Sequence, residues 1–252
     1  MTTLPPPLGP IIEGDSAASP VVLVCEHASN AFPAPWGTLG LTPDQQQAHI
    51  AWDIGALGLA RGLAMRMGAT LVHAPVSRLI YDLNRAPHQT GAMPARSEVH
   101  DVPGNQTLTA QDRAARVAAV YLPFHHGLHA VLMQRLAAGV VPVVITVHSF
   151  TPVYFGTSRA VEFGVIHDAD PSLATAIVAE ARTRTDLRCA LNEPYSAADD
   201  VTHTLRLHAT PYALPNAMLE VRNDLITTPA QQDSMADMLA PVLLAALQKG
   251  AA

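Results

Sequence analysis

The chain is short of lysine. Of its 15 basic residues 14 are arginines, and the one lysine, Lys249, stands at the C-terminal end. A phosphate-binding loop needs a lysine after its glycines and a Schiff-base enzyme needs one in its interior, so this residue serves neither chemistry. Cysteine is nearly absent too. Cys25 and Cys189 cannot build a disulfide framework, which fits a reducing compartment. Charged residues make up only 14% of the 252, and the net charge is −6, which leaves no basic surplus for nucleic acid. No run of about 18 apolar residues would span a membrane, and no basic, then apolar leader opens the chain. The expected place is the cytoplasm. Also missing are Gly-x-Ser-x-Gly, Gly-x-Gly-x-x-Gly, Cys-x-x-Cys and His-Glu-x-x-His, and internal repeats.

What is present is apolar bulk, 49% of the residues, and twelve histidines, the side chains that titrate nearest neutrality and ligate metals most often. Residues 1–19, rich in proline and small side chains, read as a lead-in rather than a folded element, although Ile11 and Ile12 can pack on the body. Residues 20–252 read as one domain. Apolar, β-branched runs predict strands at 21–25, 70–73, 78–82, 140–148, 161–166, 187–191 and 217–221. Helical periods predict helices over 43–67, with Thr42 as N-cap and Pro43 in the first turn, over 109–138 with a break at Pro123, over 171–185 and from Pro229 to Gln248. The polar stretch 84–107 reads as a long loop, of the kind that is usually functional. This alternation predicts a three-layer α/β/α fold around a mostly parallel sheet, with some antiparallel pairing at an edge.

In such sheets ligands bind beyond the carboxyl ends of the strands. Four polar groups fall there: His27 after the first strand, His148 at the end of 140–148, the segment Asp82-Leu83-Asn84-Arg85, and Glu220 near the end of 217–221. One such residue is most simply a cap. Four at corresponding ends suggest a site. A catalytic zinc takes three protein ligands and leaves a place for water, so His27 and His148 need a third group. Asp53, on the helix that follows the His27 loop, is the best candidate, with His49 one turn earlier as its rival. Arg85 and Arg78 are the expected anion anchors, because a guanidinium fork matches a carboxylate. Glu220 is a carboxylate in an apolar strand, where burial raises its pKa toward that of a general base. His125 and His126 are at most indirect contributors, and His73, His88, His100, His129, His167, His203 and His208 have no partner in the pattern. Cys25 beside Glu26-His27 keeps a cysteine-dependent amidase as the alternative, although a strand-end cysteine is most often inert core. A third reading is a non-catalytic protein that binds a metal or an acylamino acid.

The segments CEHASNAFP (25–33), HIAWDIGA (49–56), SRLIYDLNR (77–85), YLPFHHGL (121–128) and TVHSFTP (146–152), taken in order, resemble the N-formylglutamate amidohydrolase family. The resemblance covers about residues 20–225. It implies a phosphorylase/hydrolase-like sheet, as in the related zinc carboxypeptidases and aspartoacylases, and hydrolysis of an N-formyl or N-acyl amino acid by a zinc-activated water. Residue by residue it implies His27, Asp53 and His148 as ligands of one zinc ion, Glu220 as general base, and Asn84 and Arg85 as the carboxylate clamp, with Arg222, on the strand face of Glu220, as a further candidate clamp. In place of the carboxypeptidase pattern His-x-x-Glu this chain has His27-Ala28-Ser29-Asn30, which makes Asp53 necessary to the ligand set.

Overall fold

A computed structural model describes residues 5–14 and 19–250. Seven strands form the main sheet: β1 (Ile11–Glu13), β2 (Val21–Cys25), β3 (Thr70–His73), β6 (Val143–Phe150), β9 (Phe163–Ile166), β10 (Cys189–Leu191) and β11 (Asn216–Arg222), with β4 (Arg96–Ser97) and β5 (His100–Asp101) in one small hairpin and β7 (Val153–Tyr154) and β8 (Thr157–Ser158) in another. The helices are α1 (Pro43–Gln47), α2 (Ala56–Met67), α3 (Pro103–Gln106), α4 (Ala110–Arg116), α5 (Leu122–Ala137), α6 (Ser172–Arg184), α7 (His203–His208) and α8 (Pro229–Gly250). The order across the sheet is β1-β3-β2-β6-β11-β9-β10. β3, β2, β6 and β11 are mutually parallel, while β1 against β3 and β9 against β11 are antiparallel.

Alternation along the strands sorts the core into two layers. Val21, Leu23, Ile145, Val147, Leu219 and Val221 meet α2, α6 and α8 on one face, and Val22, Val24, Val144 and Met218 meet α5, α7 and the loop around residues 79–83 on the other. The second face is the one the even-numbered residues Thr146, His148 and Glu220 share. The sheet thus delivers His148 and Glu220 side by side, as register partners across β6 and β11.

Four expectations from the sequence change. Ile11–Glu13 of the lead-in form an edge strand against β3, while residues 1–4 and 15–18 of it lie outside the described set. The helix expected over 43–67 is two helices, because tertiary bonds claim the stretch between them: the Asp53 amide donates to the His27 carbonyl, and the Ser77 hydroxyl to the Ala51 carbonyl. Gly55 then turns the chain at φ +83°, where a Cβ would stand 2.2 Å from the Ile226 carbonyl oxygen, so only glycine fits. The expected strand 78–82 is a buried turn, since Ser77 accepts from the Leu79 amide and Asp82 from the Asn84 amide. Over 109–138, α4 passes through a π-helical turn, Val117–Tyr121, into α5, and Pro123 sits in the first turn of α5, where its missing N–H is cheapest.

Candidate metal centre and active-site cavity

Three buried donors converge where β2, the loop before α2 and β6 meet. His27 Nδ1 lies 3.2 Å from His148 Nδ1 and 3.2 Å from Asp53 Oδ2, and His148 Nδ1 lies 2.8 Å from Asp53 Oδ2. Four ligands at zinc-like bond lengths of 2.0–2.2 Å stand about 3.3–3.6 Å apart at the corners of a tetrahedron. The triangle is slightly smaller than one face of such a site, and small side-chain shifts open it to that size. Two ring nitrogens aimed at each other and at one carboxylate oxygen are also poorly served by hydrogen bonds alone.

The opposite ring nitrogens meet carboxylates. His27 Nε2 donates to Asp82 Oδ1 at 2.8 Å, and His148 Nε2 lies 3.2 Å from Glu26 Oε2, a contact at ion-pair distance that falls short of hydrogen-bond alignment. A carboxylate on the far nitrogen orients a ligating imidazole and raises its basicity. Arg78 joins the other ends: its guanidinium donates to Asp82 Oδ2 at 2.6 Å and to Asp53 Oδ1 at 3.3 Å. Asp53 Oδ2 also accepts from the Ser149 amide at 3.3 Å.

Charge explains the protonation states. Glu26, Asp53, Asp82 and Glu220 are four buried carboxylates, and the half-buried guanidinium of Arg78 pairs with two of them, Asp53 and Asp82. Burial pushes the Asp82 carboxyl up, but Arg78 and His27 outweigh it and hold the group well below the usual range. Burial and then Arg78 push the His27 ring down, and Asp82 and Asp53 reverse this and raise it. Burial lowers the His148 ring, while Glu26 and Asp53 carry it well above its ordinary value. A pocket that holds its carboxylates ionised and draws protons onto its imidazoles is short of positive charge, which a divalent cation supplies. Donor set, spacing and charge all fit a metal ion.

Glu220 differs from the other three carboxylates. Burial raises its pKa to about 7, and its Oε2 has no hydrogen-bond partner. It lines the same cavity as the triad, of about 310 Å³, together with Arg78, Asp82, Asn84, Arg85 and Tyr195.

The sequence-derived candidates fare differently. His27, Asp53 and His148 come together with Glu220 beside them. His49, the rival third ligand, points to Glu98 at 2.9 Å on the cavity wall. Arg78 is at the site, but Asp53 and Asp82 occupy its guanidinium, so it braces the centre rather than waiting for an anion. Asn84 spends its amide on the Val201 carbonyl and the Thr204 N–H, which fixes the loop that presents Arg85. Arg85 donates to the Asp200 carbonyl, and no carboxylate pairs with it among the described residues. Arg222 is not brought to the cavity: it turns to Asp224 and Glu162. Cys25 is fully buried on the α2 face of the sheet, and burial pushes its thiol well up, the reverse of what a nucleophile needs.

Sequence reasoning named Asp82 only within the strand-end segment 82–85 and Glu26 only beside Cys25, giving neither a role at the centre, and it missed Tyr195. The first two carried a signal, since each is a carboxylate directly after an apolar buried run and needs a cation there. His125 has a definite place as well. Its Nε2 donates to the Leu83 carbonyl between Asp82 and Asn84, and its Nδ1 meets His208 Nε2 at 2.8 Å. His126 is exposed on the outer side of α5.

A family model described as N-formylglutamate amidohydrolase matches residues 19–227. The solved structure of gene product Atu2144 from Agrobacterium tumefaciens is 46% identical, with a TM-score of 0.95 and 97% of each chain covered. N-formylglutamate amidohydrolase from Ralstonia eutropha JMP134, at 16% identity, shares the fold with a TM-score of 0.71 over 96% of this chain and 98% of that one. No curated protein sequence matches. No helix among the described residues is long and apolar enough to cross a membrane.

Proposed function

The chain belongs to the N-formylglutamate amidohydrolase family, and from that premise we propose that it hydrolyses the amide bond of an N-formyl or N-acyl amino acid, with one zinc ion held by His27, Asp53 and His148. The observation that carries the reading is the closed triangle of His27 Nδ1, His148 Nδ1 and Asp53 Oδ2, with the unpartnered carboxylate of Glu220 on the adjoining strand. When bound, zinc supplies Lewis acidity, which makes water acidic near neutral pH and polarises a carbonyl oxygen.

The chain's own residues do the rest. Glu26 and Asp82 hold the two imidazoles so that each presents Nδ1 inward. Arg78 keeps Asp53 and Asp82 ionised and in place. Glu220, ionised above about pH 7 and with no bond to break, takes a proton from the attacking water and returns it to the leaving amine. Arg85 at the cavity wall, steadied by the Asp200 carbonyl, receives a carboxylate of the substrate through its guanidinium fork.

Two variants test the assignment. His148→Ala should lose both bound metal and turnover of N-formyl amino acids. Glu220→Gln should keep its metal while kcat drops by about 10²–10⁴-fold. Metal retained at full occupancy in His148→Ala, or full turnover in Glu220→Gln, would overturn it.

A further inference from the structure

A separate cavity, of about 370 Å³, is formed by residues 86–89 and 200–207 and shares no lining residue with the catalytic one. Both stretches adjoin the contacts that hold Arg85: its guanidinium donates to the Asp200 carbonyl, and Asn84 beside it is bound to Val201 and Thr204.

His203 is the buried group of this cavity, only 7% exposed. Its one hydrogen bond joins Nε2 to the Tyr121 hydroxyl at 3.0 Å. Tyr121 has no other side-chain partner among the described residues, so its O–H donates and His203 Nε2 accepts. Burial lowers the ring to about 4, which keeps it neutral at pH 7, and its single proton then sits on Nδ1. That atom has no partner among the described residues and is not sealed from solvent, so it is the nitrogen that opens onto the cavity His203 lines.

Two further donors line the same space. Gln89 Oε1 accepts from the Ala86 amide at 2.6 Å, which leaves its side-chain NH2 without a partner among the described residues. Arg206, one turn after His203 on α7, meets only the Asp200 carboxylate, at 3.8 Å and with both ends about half exposed, which makes the pair weak. An imidazole N–H, an amide NH2 and a guanidinium, against Asp200 as the one acid, make a lining rich in donors and poor in acceptors. Three donors on separate side chains suit a phosphate, which has an oxygen for each where a carboxylate has two in all. The groups are not set for a metal: among the described residues, the one cluster of three metal donors is the triad.

We propose that this cavity is a binding site for a phosphate group, as the free ion or as the monoester of a small molecule, held by His203 Nδ1–H, Gln89 and Arg206. A phosphate there draws Arg206 away from Asp200 and ties residues 86–89 to α7, across the two stretches that fix Arg85. The site stands apart from the amidohydrolase reading, since neither the triad nor Glu220 lines it.

The test is calorimetric titration of metal-loaded wild type, Arg206→Gln and His203→Phe with inorganic phosphate, with glycerol 1-phosphate and, as the carboxylate control, with acetate. Wild type should bind phosphate more tightly than acetate, and each variant should bind it about 10-fold or more weakly, the size expected when one hydrogen bond to a charged group is lost. His203→Phe keeps a ring in the buried place and removes the donor. Arg206 is about half exposed, so Arg206→Gln leaves the core untouched and decides the matter if His203→Phe does not fold. Tighter binding of the monoester assigns the cavity to a phosphorylated small molecule, and tighter binding of inorganic phosphate assigns it to the ion. Phosphate bound equally by wild type and folded variants sits elsewhere and overturns the proposal, as does an absence of binding in wild type or acetate bound as tightly as phosphate.

Discussion

At the scale of single residues the centre is built from paired roles. Each imidazole has a carboxylate behind it, and the arginine that could have bound substrate is drawn into holding those carboxylates. Asp82 illustrates the dependence, because it orients His27 through Nε2 and is itself held by Arg78. Asp82→Asn keeps the shape of the side chain but removes the charge behind His27, the proposed ligand. Metal affinity, measured by competition with a chromogenic chelator, should fall about 10–100-fold, with the fold intact by circular dichroism. An unchanged affinity would show that His27 needs no such partner.

At the scale of elements, the strands that supply His148 and Glu220 were legible in the sequence because their apolar runs are long and their polar residues fall at the carboxyl ends. His27, His148 and Glu220 could be singled out for that reason, and Asp53 because it lies on the segment that follows the His27 loop. The path between α1 and α2 was not legible. Its residues carry a helical period, and only bonds from the distant His27 carbonyl and Ser77 hydroxyl hold them out of helix. The run Leu79-Ile80-Tyr81 is as apolar as a strand and just as buried, so pattern alone could not separate a packed turn from a strand. Arg78 and Arg222 were read as free anchors because ion-pair partners remote in sequence leave no local trace. Gly55 is the hinge of this region. Gly55→Ala, forced to φ +83° against the Ile226 carbonyl, should cost about 2 kcal/mol or more in urea unfolding and weaken metal binding by displacing Asp53. Wild-type stability in that variant would contradict the role given to the turn.

At the scale of the whole molecule, a second set of histidines ties the helical face of the fold to the site. His125 donates from Nε2 to Leu83, so its Nδ1 accepts and His208 Nε2–H is the donor, while His203 Nε2 meets the Tyr121 hydroxyl at 3.0 Å. Burial lowers the His203 and His208 rings to about 4 and holds His125 well below its ordinary value. These rings stay neutral in the folded protein where the unfolded chain, with imidazoles near 6.5, takes up protons. Stability is therefore complete above about pH 6.5 and is lost as the pH falls toward 4, by about 2 kcal/mol at pH 5 for each of His203 and His208. His208→Gln keeps the donor to His125 and removes one titrating ring. The difference in unfolding free energy between pH 7.5 and 5, with metal removed from both proteins, should shrink by about that amount. An identical difference in the two proteins would mean that His208 takes no part.

The same face carries the loop of Asp82, Asn84 and Arg85, packed against α5 and α7, so the helices around this cluster position both Asp82 and Arg85. The account as a whole turns on the triad of His27, Asp53 and His148 holding a metal that hydrolysis requires. The most direct measurement is formate release from N-formyl amino acids by chelator-stripped protein as zinc is returned stepwise. Activity should be absent at the start, rise with added zinc and level off at one equivalent per chain. Full activity in the stripped protein would contradict the account.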